Sequence, residues 1–115
     1  MVCDINGLKT INDTEGHKAG DEYIRACCTL ICRTYRHSPV YRIGGDEFAV
    51  ILQGEDFANR EGLLADLRRQ VEGNIRMNEG PVVASGMADY RPDQDFSAED
   101  VFNRADSRCM RIRPI

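Results

Sequence analysis

Apolar residues recur along the chain in two rhythms. Across residues 18–36, Ile24, Cys27, Cys28, Ile31 and Tyr35 fall at steps of three and four, which predicts a helix with one buried face, stopped by Ser38-Pro39. A second stripe, Leu64, Leu67, Val71 and Ile75, predicts a helix over residues 58–77. Between them, Val40-Tyr41-Arg42-Ile43 and residues 48–52 read as strands joined by a tight hairpin turn, Gly44-Gly45-Asp46-Glu47. Residues 82–88 read as a further strand, and Ser97-Ala98-Glu99-Asp100 as a capping box opening a last helix through Val101, Phe102 and Ala105. At the front, Val2-Cys3 reads as the end of a buried strand running into the polar turn Asp4-Ile5-Asn6-Gly7. The order strand, helix, hairpin, helix, strand, helix predicts an α/β architecture, a sheet covered by helices. A strand ending at Cys3 is short for a central position, so the sequence reads as a domain cut at its front edge.

Composition narrows the class. A chain of 115 residues and 13.0 kDa is one domain, with 42% apolar and 30% charged residues as in folded soluble proteins. The formal charge of −4 and the lack of a basic block argue against a nucleic-acid partner. No apolar run is long enough for direct membrane insertion and no signal-peptide pattern opens the chain, so the expected location is cytoplasmic. Five cysteines, an odd number, argue against a closed disulfide framework. Cys28 and Cys32 are spaced for one helix face but lack further ligands at zinc spacing, so Cys27, Cys28 and Cys32 are expected to be core residues.

Chemistry gathers at two acidic points. Asp4 follows the first strand, and Asp46 and Glu47 lie in the hairpin turn. If the hairpin lies beside the first strand, these carboxylates converge at one end of the sheet, the oxygen-rich setting a hard cation such as Mg²⁺ requires. Gly44 and Gly45 permit positive φ and a close approach of phosphate to the backbone. The competing reading is a solvated hairpin tip. A calcium loop starting at Asp4 is excluded, because Leu8 and Lys9 stand where it needs an oxygen ligand and a glycine.

Gly44-Gly45-Asp46-Glu47-Phe48 is the signature pentapeptide of GGDEF domains, the diguanylate cyclases that make cyclic di-GMP from two GTP molecules. Residues 4–21, from Asp4-Ile5-Asn6-Gly7 through Gly16-His17 to Gly20-Asp21, resemble the upstream block of that family. Arg42-Ile43 and Ala105-Asp106 also fall in its order. The resemblance covers nearly the whole chain and implies a palm-like nucleotidyl cyclase fold, a mainly antiparallel sheet covered by helices, over residues 1–115. It implies that Asp4, the backbone carbonyl of Ile5, Asp46 and Glu47 hold two Mg²⁺ ions, with Mn²⁺ as a substitute. Either Glu47 or Asp46 takes the proton of the attacking hydroxyl, with Lys9 beside them in the catalytic set. Asn12 and Asp21 match the residues that bond the guanine edge, where a carboxylate accepts from N1–H and the 2-amino group that adenine lacks. Lys9 and the backbone N–H groups of Gly7, Leu8 and Lys9 are expected to meet the terminal phosphates at a helix start. His17 either contacts the same nucleotide or caps the following helix.

One domain binds one GTP, so the resemblance further implies a homodimer in which each ribose reaches the other's phosphate, driven by an upstream sensory domain. The alternative is a catalytically inactive GGDEF domain that binds GTP or a protein partner and regulates something else. Several positions depart from the family pattern. The N-terminal helix and most of the first strand are expected to be missing ahead of Asp4. Tyr35 and Ser38 replace the Arg-x-x-Asp product-inhibition pair, and Gly7 and Leu8 stand where bulkier residues are usual. Met110 takes the place of a Tyr and Arg113 that of a phosphate-gripping Lys, with a fork in place of an ammonium.

Overall fold

The computed structural model describes residues 1–109. Four strands, β1 (Val2–Ile5), β2 (Val40–Arg42), β3 (Glu47–Val50) and β4 (Val83–Gly86), form an antiparallel sheet in the order β2-β3-β1-β4. β1 is thus a central strand, and it does not stop at Cys3. The ladder runs on through Asp4, opposite Glu47 on one side and Ala84 on the other, to Ile5 opposite Val83. A polar residue in mid-strand imitates a turn in sequence, but strand alternation sends Asp4 to the face opposite the core.

The helices are α1 (Leu8–Glu15), α2 (His17–Thr34), α3 (Gly54–Ala58), α4 (Arg60–Met77) and α5 (Ala98–Ser107). The stripes of α2 and α4 behave as their spacing predicts. Cys27, Ile31 and Tyr35 join Leu67 and Val71 over one face of the sheet, where Cys3, Ile5, Phe48, Val50 and Val83 complete the core. α1 and α3 have no counterpart in the periodicity. α1 buries none of its residues, so it writes no apolar stripe, and α3 spans five residues. No described helix is long and apolar enough to cross a membrane.

α2 ends as Tyr35 N–H donates to the Ile31 carbonyl at 2.9 Å, and the Tyr35 ring is sealed in the core at 1% exposure. Ser38 Oγ donates to the buried carboxylate of Asp56 at 2.6 Å, beside the His37 N–H at 2.8 Å. Tyr35 and Ser38 are therefore spent on packing and on anchoring the loop after α2.

The opposite face of the sheet carries Val2, Asp4, Glu47, Ala49, Ala84 and Gly86, and α5 lies across its β1–β4 side. Gly86 makes that approach possible. A Cβ there would stand 2.5 Å from the Cys109 nitrogen and 2.7 Å from the Arg108 carbonyl carbon, and would collide with the Ala105 carbonyl oxygen. From within α5, Arg104 grips the buried Asp95 ahead of the helix with two hydrogen bonds of 2.7 and 2.8 Å, and the Arg91 N–H adds a third at 2.6 Å. The predicted capping box forms differently: Ser97 makes no side-chain cap, and Asp100 accepts instead from the Phe96 N–H at 2.8 Å.

Those hydrogen bonds from Arg104 and Arg91 hold the Asp95 carboxyl down at about 2, against an ordinary 3.8. A depressed carboxylate contributes stability that is complete above its unfolded value and lost as pH falls through the folded one. The seat of α5 is therefore expected to loosen between roughly pH 4 and pH 2. Protection of the α5 amides, measured against their intrinsic exchange rates, should fall in that window in the native protein and already at pH 6 in Asp95→Asn.

Candidate active site

The β1–β3 register sets Asp4 directly opposite Glu47. Directly opposed residues in an antiparallel pair project to the same face with Cβ atoms about 5 Å apart. Glu47 is accordingly the first residue of β3 and not part of the turn, which the structure confines to residues 43–46. The turn is tied down on both sides. Ile43 N–H donates to the Glu47 carbonyl at 2.9 Å, and Ile5 N–H donates to the Asp46 carbonyl at 2.7 Å, so the hairpin is stitched to β1 just beyond Asp4.

Arg42 folds over the tip, its Nε and Nη2 donating to the Gly44 and Gly45 carbonyls at 3.2 and 2.8 Å. Sequence reasoning gave this residue no role. Gly44 and Gly45 do not adopt the positive φ expected of them: the four residues between the strand ends close the turn without a left-handed step. A Cβ would find ordinary space at either one.

The end of α5 brings a third carboxylate. Asp4, Asp106 and the Cys109 thiol present ligand atoms within 4.8 Å of one another. The Glu47 carboxyl titrates above its ordinary value, because partial burial, then the charges of Asp4, Asp106 and Asp46, and a hydrogen bond with Asp106 all favour its protonated form. Burial and the same carboxylates push the Cys109 thiol up to about 12, so it stays protonated. Crowded carboxylate oxygens that resist joint ionisation fit a hard divalent cation, and a protonated thiol does not. Asp46 is exposed at the tip, and its charge ranks below those of Asp4 and Asp106 in its effect on Glu47. Asp106 was missed as a site residue: the sequence places it 102 positions after Asp4, and only the crossing of α5 over the sheet joins them.

The nucleotide-side candidates lie on α1 and the start of α2. Gly7 takes a left-handed conformation (φ 77°) as the N-cap of α1 and offers no side-chain cap. The first-turn N–H groups, with exposed Lys9 beside them, are left to an external acceptor. Asn12 lies against Gly20 so closely that a Cβ at Gly20 would collide with its Oδ1 and stand 2.9 Å from its Cγ. The half-buried Asn12 amide and exposed Asp21 are thereby neighbours across the α1–α2 pair. His17 is exposed at the start of α2 and makes no side-chain cap, so the capping alternative fails: the preceding Gly16 occupies the N-cap position. Arg113 lies outside the described residues.

The structure thus sets a strand-borne acidic pair on one face of an antiparallel sheet, with an uncapped helix start following β1. The chain belongs to the family described as diguanylate cyclase, GGDEF domain, whose model matches residues 1–114. It is 51% identical over 106 residues to the probable diguanylate cyclase DgcC of Escherichia coli K12, covering 86% of this chain and 28% of that protein. It is 40% identical over 114 residues to the diguanylate cyclase DgcS of Shewanella oneidensis, covering 98% of this chain and 38% of that one. The chain thus spans less than two-fifths of either relative. Among solved structures, the GGDEF domain of DgcB from Caulobacter crescentus, crystallised with c-di-GMP, superposes with a TM-score of 0.70 at 32% identity, covering 92% of this chain and 66% of that one. The active GGEEF domain of a diguanylate cyclase from Vibrio cholerae gives 0.75 at 26% identity, covering 92% and 69%. The architecture is the nucleotidyl cyclase fold that these neighbours share.

Proposed function

We propose that this domain condenses two GTP molecules into cyclic di-GMP and pyrophosphate, each of two facing copies supplying one nucleotide. The observation that carries this reading is the Asp4–Glu47 pair, held side by side on the open face with Asp106 behind it. Asp4, the Ile5 carbonyl, Asp46 and Glu47 would hold Mg²⁺ or Mn²⁺. When bound, such cations acidify the attacking 3′-hydroxyl and neutralise charge on the departing pyrophosphate.

The chain's own groups do the rest. The N–H groups of Gly7, Leu8 and Lys9 and the Lys9 ammonium orient the terminal phosphates, so the α-phosphorus faces the second nucleotide. Asn12 and Asp21 fix the guanine edge, and His17 stands at the same end of the pocket. Glu47, whose neighbours already raise its proton affinity, accepts the hydroxyl proton. Gly44 and Gly45 add no side chains of their own to the hairpin tip, which leaves room for the substrate beside Glu47.

The direct test fuses the domain to a dimerising module and incubates it with GTP and Mg²⁺, separating products by chromatography. Cyclic di-GMP should accumulate, and should not when ATP is supplied. GTP binding without turnover in the forced dimer would favour the regulatory-module alternative. Gly20 provides a sharper probe of the base pocket. Alanine improves helix propensity there by about 1 kcal/mol, so the fold should persist, but the new methyl evicts the Asn12 amide. Gly20→Ala is expected to raise the KM for GTP about tenfold, the worth of one good hydrogen bond, with Asp21→Asn erasing the preference for GTP over ATP. Unchanged KM in a folded Gly20→Ala would remove Asn12 from the guanine site.

A further inference from the structure

Three of the five cysteines are accounted for by the fold. Cys3 and Cys27 are fully buried, with burial pushing each thiol up to about 12, and Cys109 sits under Asp4. The expectation of a core role holds in part for Cys28, which is half-buried and packs against the core, and fails for Cys32, which is exposed one turn further along α2. Their Sγ atoms stand 3.9 Å apart. Two sulfurs on one metal, with bonds of about 2.3 Å, stand from about 3.8 Å apart at a tetrahedral angle to about 4.6 Å in a line, so a small side-chain rotation opens this pair to a two-coordinate ion.

The surroundings select the metal. The thiols open into a shallow groove that they share with Arg25, Thr29, Arg33 and Arg36. None of the three guanidiniums has an ion-pair partner among the described residues. Among the described residues, no third Cys, His or carboxylate joins the two sulfurs within ligand reach. A structural zinc site needs four ligands and is not met, and three arginines repel a free dication. A soft monovalent d¹⁰ ion is content with two thiolates, and its complex carries one net negative charge, which the arginines offset.

We propose that Cys28 and Cys32 form a bis-thiolate site on the outer side of α2 for one soft monovalent metal ion, with Cu(I) as the type. On binding, each thiol releases its proton to solvent, two S–Cu bonds form, and no electron is transferred. The site is remote in sequence and element from the carboxylates of β1 and β3 and independent of the cyclase reading.

The test titrates the reduced protein anaerobically with Cu(I) against a competing colorimetric chelator. The native protein and Cys109→Ser should each retain one Cu(I). Cys28→Ser and Cys32→Ser should each weaken retention more than about tenfold, since even supporting partners of metal ligands are worth that much. Arg33→Glu, which leaves both thiols in place, should weaken it as well. Circular dichroism confirms that each variant folds. Equal retention by a folded Cys28→Ser/Cys32→Ser double variant would overturn the site. Displacement of Cu(I) by an equal concentration of Zn(II) would overturn the choice of metal.

Discussion

Glu47→Gln, made in a dimerised form of the domain, is expected to suppress cyclic di-GMP formation more than about a hundredfold, since even residues that merely support a metal ligand are worth ten to a hundredfold. Glutamine keeps the length and shape of the side chain and removes its charge and basicity, so a metal ligand and a proton acceptor disappear together. The same change should leave the metal-free protein slightly more stable at neutral pH. Glu47 titrates above its ordinary value because partial burial first, and then the charges of Asp4 and Asp106, disfavour its ionised form, and a neutral amide escapes both. Activity and melting temperature are thus expected to move in opposite directions, measured on one preparation by product chromatography and calorimetry. Undiminished turnover would remove Glu47 from the reaction, and a clear fall in melting temperature would recast it as a structural residue.

Gly86→Val is expected to be the most damaging change outside the carboxylates. The atoms a Cβ would meet are backbone atoms of Ala105, Arg108 and Cys109, which have no rotamer to yield. Either the end of α5 lifts off the sheet or β4 bends away from Val2, its partner in the ladder. Overpacking of this kind costs about 1–3 kcal/mol or more, a large part of the 5–15 kcal/mol that holds a typical domain together. Lifting α5 also carries Asp106 and Cys109 away from Asp4, so loss of turnover should accompany the fall in denaturation midpoint. A Gly86→Val protein of native stability would show that α5 does not press on the sheet as described.

The residues announced these elements unevenly. α2 and α4 were legible because each buries one stripe, and the hairpin because glycine and acidic residues separate two apolar runs. Periodicity was silent on α1, whose start only the resemblance implied, because its hold on the molecule is its contact with α2, leaving Leu8 and Ile11 partly exposed among polar neighbours. The acidic convergence followed from placing the hairpin beside the first strand, and the register fulfils that condition for Asp4 and Glu47. Asp106 and Arg42 were hidden for a shared reason. Their roles depend on where a chain segment returns in space, and neither spacing nor residue type records that return. Cys32 shows the reverse error: its position in the series imitated a core residue, but only the Cys27–Ile31 side of the helix is fully buried.

The rung between positions 4 and 47 has a bearing on how the molecule assembles. It joins the first strand to a hairpin across the whole of the intervening helical pair, so neither half of the pocket exists until that distant closure is made. Anything lodged between the two side chains bridges the closure and favours the folded chain over the open one by mass action. On the proposed reading, filling that gap and folding are linked equilibria, so removing the cation should lower the melting temperature of the chain.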